Sequence, residues 1–263
     1  MAACRDNRLD LIRGYAMLAI AVNHVSFSVE RLGFKEQNVP TLNSLSYPTA
    51  AEIFIGLSGY LVGLVYLRRP GWTMALWKRA SLIYRVNVVA FALALLLAAG
   101  LPPLVSNALE YDVILAHPVQ GTLLFLTMLQ QPAYLDVLQL YVILLLAAPL
   151  VALGLHWRPT ATLFISGGLY LATQIFNQLA IPQATFTSSG DWTLAGTWGM
   201  NLLSWQFLFY GAMYAGTMTG HQRLFAWLEG SSGRKMVISG FSPVLLRPKL
   251  GKIRAVGPPS AGR

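Results

Sequence analysis

Arg13 and His24 stand eleven residues apart in one apolar run, with Asp10 three positions before the arginine. On a helix turning roughly 100° per residue, eleven steps return to within roughly 20° of the start, so the three side chains share a face. A rise of about 1.5 Å per residue puts Arg13 and His24 roughly 16 Å apart along that face. An imidazole can take the proton of a hydroxyl, and a guanidinium can hold an anion. Glu52, in the next apolar run, shares a face with Gly56, Gly59 and Gly63. Glycines let another backbone come close, so this stripe is expected to pack against the first helix and present Glu52 to His24. Each residue also has a purely structural explanation: Arg13 can snorkel to an interface, His24 and Glu52 can be hydrated there, and glycine stripes pack helices. Their joint alignment favours a site, because one ionisable side chain in hydrocarbon costs at least roughly 2.5 to 3.5 kcal/mol.

Asp136 opens a later apolar run, in Ala-Tyr-Leu-Asp-Val-Leu-Gln-Leu-Tyr, where a carboxylate also suits a helix start. Trp192, Trp198 and Trp205 flank or enter the last apolar run and read as interface markers, with Trp192 beside Asp191 also able to stack on a sugar. His117 and His156 lack neighbours at ligand spacing, and Cys4 is the only cysteine, so no metal site and no disulfide are assigned.

The elements that must position these residues follow from composition. Of 263 residues, 55% are hydrophobic and 11% charged, against about a quarter charged in soluble domains. That excludes an ordinary soluble domain and makes the lipid bilayer the first partner. The net charge of +9 sits mostly beside apolar runs, which argues for membrane orientation and against nucleic acid. About 20 apolar residues cross the hydrocarbon, and that template selects segments near 9–28, 49–67, 83–104, 134–154, 160–180 and 197–219. The expectation is an all-α polytopic bundle of six spans, its first run retained and not cleaved as a signal peptide. Arg5 and Arg8, then Arg68, Arg69, Lys78, Arg79 and Arg85, then Arg158 and Arg223 fall on one side, which places both termini in the cytoplasm. Arg31 and Lys35 are the exceptions. The outer loops carry Glu110, Asp112 and the uncharged stretch Thr185 to Gly190, and 117–131, framed by Pro118 and Pro132, is expected as an interfacial helix on the outer face. Residues 1–229 form the transmembrane domain in this reading; 230–263 are a basic, Pro-rich cytoplasmic tail without apolar periodicity.

Arg8-Leu-Asp-Leu-Ile-Arg-Gly14 followed by Asn23-His24 resembles the first helix of the acyltransferase 3 superfamily, and Glu52-Ile-Phe-Ile-Gly-Leu-Ser-Gly59 resembles its second. His117-Pro-x-x-Gly121, Gln131-Pro-Ala-Tyr-Leu-Asp136, Leu140-Tyr141, Ala148-Pro149 and Ser204-Trp-Gln-Phe-Leu-Phe209 together resemble the OpgC-type glucan succinyltransferases. The resemblance implies an enzyme of the bacterial inner membrane, with no bound cofactor, that transfers an acyl group, typically succinyl from cytoplasmic succinyl-CoA, to osmoregulated periplasmic glucans. It casts His24 as general base, Glu52 or Asp136 as the carboxylate that supports it, and Arg13, with Asp10 on the same face, as holding the anionic acyl-CoA donor. Two departures stand out. Gln139 occupies a position where the family pattern carries proline. The pattern also runs through roughly the first 230 positions and then stops, four spans short of the family's usual ten, which leaves two readings open: an active six-span enzyme, or an incomplete chain inactive or unstable alone. The competing class is a transporter or channel for protons or a small anion, whose inverted repeats the sequence lacks; a non-catalytic membrane scaffold is the third reading.

Overall fold

The computed structural model describes residues 7–33, 49–102, 105–106, 111–130, 132, 134–176, 182–186, 192–197 and 200–217. The segment 230–263, read as a tail, and Lys35, Glu110, Asp191, Trp198 and Arg223 lie outside them. Among the described residues, six helices have twelve or more residues: α1 (Asn7–Arg31), α2 (Ala50–Leu61), α3 (Trp72–Ala99), α6 (Asp136–Trp157), α7 (Pro159–Ile175) and α8 (Leu202–Gly216). Between α3 and α6 come two short helices, α4 (Asp112–Ala116) and α5 (Pro118–Leu126). α5 is the helix in the 117–131 segment; its nine residues rise only about 14 Å, too little to cross.

Each of the six expected spans coincides with one long helix, but among the described residues only α3 and α6 are long and apolar enough for a membrane crossing, so six spans are not shown. The third begins well before position 83, so Lys78, Arg79 and Arg85 lie on α3 and not in the loop expected there. Nothing between Trp72 and Tyr84 breaks a helix, and lysine and arginine are good helix formers; the charges end the apolar run, not the helix. Pro149 sits inside α6 and is buried.

The all-α expectation needs one correction. Pro182–Phe186 (β1) and Trp192–Thr197 (β2) pair antiparallel, where a plain outer loop was expected. Their β-branched and aromatic content, Thr185 and Phe186 opposite Thr193 and Trp192, suits paired strands and overrides the helical bias of the rest.

The bundle closes around Phe54, Ile55, Leu140, Leu144, Phe209 and Met213, all at most 5% exposed. The glycine stripe of α2 packs on α8, not on α1 as expected: a Cβ at Gly59 would run into the Phe209 carbonyl, and one at Gly63 into that of Met213. Gly216 makes the reciprocal approach to Tyr60. Gly63 lies in a π-helical turn, Val62–Tyr66, that extends α2. Buried amide and hydroxyl pairs join α7 to α8. Ser166 Oγ donates to Gln206 Oε1 at 2.6 Å, Gln206 Nε2 donates to the Ser166 carbonyl at 2.8 Å, and the Thr173 and Ser204 hydroxyls lie 2.7 Å apart. Leu96, Leu150 and Phe164 are 72 to 76% exposed, an apolar exterior that suits lipid.

Candidate active site

His24 lies half-buried on α1, seven residues before the helix ends at Arg31. Its ring meets that of Tyr134 in a T-shaped contact, centroids 4.8 Å apart and planes at 60°. Tyr134 belongs to the turn that leads into α6, and Asp136, the first residue of α6, lies within electrostatic reach of the imidazole. Tyr134 has φ +70°, a left-handed conformation that costs a non-glycine residue about 1 to 3 kcal/mol. Its hydroxyl is buried and has no hydrogen-bond partner among the described residues. The turn is held from below by Gln139, whose amide donates to the Gln130 carbonyl at 3.2 Å and to that of Phe125 at 3.5 Å. Gln139, the position where the family pattern carries proline, thus ties α6 to the end of α5.

Five residues into α6, roughly 7.5 Å along its axis from Asp136, a cluster of cations and aromatic rings begins. The Arg13 guanidinium carbon sits 5.8 Å from the centroid of Phe54, within cation–π range, and its buried Nε has no hydrogen-bond partner among the described residues. Phe54 meets Tyr141 in a T-shaped contact at 5.6 Å. Tyr141 accepts a hydrogen bond from Arg79 Nε at 3.4 Å, and Tyr66 accepts one from Arg79 Nη1 at 3.3 Å. Arg79 is half-buried, and both partners are neutral hydroxyls, so its charge is solvated without being neutralised. Sequence reasoning used Arg79 only to orient the membrane. Its role here was hidden because its partners come from α2 and α6, far away in the chain.

Glu52 is not brought to His24. Its Oε2 accepts the N–H of Thr49 at 2.6 Å, starting α2, and its side chain lines a cavity of about 860 Å³ with Tyr170, Gln174, Ser204, Trp205 and Leu208. The cause is the glycine stripe. Glu52 shares that face, which turns to α8, whereas Phe54, two residues and roughly 200° further round, faces α1. Of the two carboxylates offered as partners of the histidine, Asp136 is the one in electrostatic reach of it. Asp10 is half-buried near the start of α1 and engaged by a neighbour. Trp205 lies beside Glu52 in the cavity; the side chain of Trp192 lies outside the described residues. At the other end of the bundle Arg68, Trp72, His156 and Tyr214 line a second cavity of about 560 Å³.

Long apolar helices with an apolar exterior define a membrane protein, and His24, Asp136, Arg13 and Arg79 are the costly ionisable side chains along its candidate site. The OpgC protein family matches residues 5–241, past Glu229 and over most of the chain. The chain belongs to that family. No curated protein and no solved structure matches it.

Proposed function

We propose that this protein is a membrane-bound O-acyltransferase that moves an acyl group, succinyl from succinyl-CoA, onto osmoregulated periplasmic glucans or a related envelope sugar. The observation that carries the reading is the ring contact of His24 with Tyr134, with Asp136 in electrostatic reach, at one end of a column whose other end is cationic. That polarity suits a donor with an anionic head and a neutral sugar acceptor arriving from opposite sides. Family membership supports the same reaction class.

In this mechanism His24 accepts the proton of a glucan hydroxyl as its oxygen attacks the thioester carbon. Asp136 orients the imidazole and stabilises the imidazolium. The carbon–sulfur bond then breaks, and the departing thiolate takes the proton from His24. Arg13 and Arg79 hold anionic groups of acyl-CoA, which is a substrate and not a resident cofactor; Asp10 stands one turn before Arg13. The topology that fits has six spans in a bacterial inner membrane, both termini cytoplasmic, with α5 on the outer face. The cations from Arg68 to Arg85, and Arg158, favour that orientation.

The test is mass spectrometry of periplasmic glucans from a strain lacking its own succinyltransferase and expressing this chain. Succinyl groups with the native chain and none with His24→Ala, at equal amounts of inserted protein, are the expected result. Equal succinylation by both would remove His24 from the reaction.

A further inference from the structure

Tyr134 combines three features that packing does not explain. Its backbone is held at φ +70°, its hydroxyl is buried without a partner among the described residues, and its ring lies against His24. A buried, unmade hydrogen bond and a left-handed non-glycine backbone each cost stability. The fold therefore keeps a tyrosine whose ring lies against the histidine and whose hydroxyl is an unused donor, at the expense of its own stability. Tyr134 is also tied to the histidine's other neighbour, because only Leu135 separates it from Asp136 at the start of α6.

We infer that Tyr134 is a second catalytic residue of this site, donating its phenolic hydrogen bond to the thioester carbonyl oxygen as that oxygen becomes an oxyanion. The inference rests on the acyl-transfer reading above. The glucan oxygen forms a bond to the thioester carbon, its proton passes to His24, and the carbonyl electron pair moves onto the oxygen that Tyr134 holds. When the carbonyl reforms, the carbon–sulfur bond breaks and the thiolate leaves with the proton from His24. No proton leaves Tyr134, which acts as a fixed dipole aimed at developing charge in a water-poor site.

Tyr134→Phe removes one oxygen atom and keeps the ring against His24. Its expected signature is a kcat reduced about 10²- to 10³-fold, the magnitude for loss of one oxyanion donor, with KM for donor and glucan unchanged and a melting temperature equal or higher. Unchanged kcat, or a rise in glucan KM at constant kcat, overturns the inference. Fluorotyrosines placed at position 134 give a readout a packing role would not move: kcat should change systematically with phenol acidity, and indifference overturns the role.

A ketone analogue of succinyl-CoA, with CH2 in place of the sulfur, separates this inference from the acyl-transfer reading. Its carbonyl stretch should shift to lower frequency in the native protein and return in Tyr134→Phe, whether or not a glucan is acylated. A Tyr134-dependent shift without glucan acylation would keep the donor role and reject the acceptor. Acylation without such a shift would keep the reaction and reject Tyr134. Neither binding of the analogue nor acylation would reject both.

Discussion

Arg79 joins Tyr66, at the end of α2, to Tyr141, in the first turns of α6, through hydrogen bonds of 3.3 and 3.4 Å. One cation on α3 thus bridges two helices beneath the His24 cluster, and the Tyr141 ring passes the contact on to Phe54 and Arg13. A half-buried guanidinium balanced only by hydroxyls can bind an anion without first breaking a salt bridge.

Arg79→Gln should therefore raise KM for succinyl-CoA by roughly tenfold or more while KM for glucan holds, because loss of a charge-assisted contact costs about 1.5 to 3 kcal/mol. Steady-state kinetics in detergent or nanodiscs checks this. An unchanged donor KM would reduce Arg79 to a helix tie.

The two carboxylates offered by the sequence should separate. Asp136→Asn should lower kcat about 10- to 100-fold at constant protein level, since an amide neither stabilises an imidazolium nor fixes its tautomer as a carboxylate does. Glu52→Ala should leave kcat near native and lower stability by about 1 kcal/mol through the lost contact to the Thr49 amide. Parallel kinetics and thermal unfolding of both variants decide it; the opposite pattern would return the supporting role to Glu52.

Gly59→Ala should destabilise the bundle by about 1 to 3 kcal/mol, because its methyl group would meet the Phe209 carbonyl and α8 would have to move. Gly14→Ala meets open space and should be nearly neutral in packing. Melting temperatures of the pair measure the difference.

Gln206→Leu breaks both hydrogen bonds to Ser166 and leaves that hydroxyl buried. Such bonds between membrane helices contribute about 0.6 kcal/mol on average and up to about 1.7 kcal/mol. A melting temperature lowered by a few degrees, with kcat preserved, is the expected result.

The sequence by itself determined the helices, the membrane setting and the family pattern. Long apolar runs have one solution in lipid, and Arg13, His24 and Glu52 stand out there because charge inside such runs is costly. It also placed Asp136 at a helix start, which the structure shows. The tertiary structure alone decided partnership. The direction of the α2 glycine stripe, toward α8, carries Glu52 away from His24 and leaves that side to Asp136 and Tyr134; two helices offered glycine a close approach, and helical periodicity does not choose between them. Arg79 read as an orientation signal because charge at the end of an apolar run is normally solvated, and only the docking of α3 against α6 puts its guanidinium between two tyrosines. The hairpin of β1 and β2 escaped a template tuned to runs of about 20 apolar residues. Periodicity fixes which face of a helix a residue lies on; which neighbour that face meets is settled by packing between segments far apart in the chain.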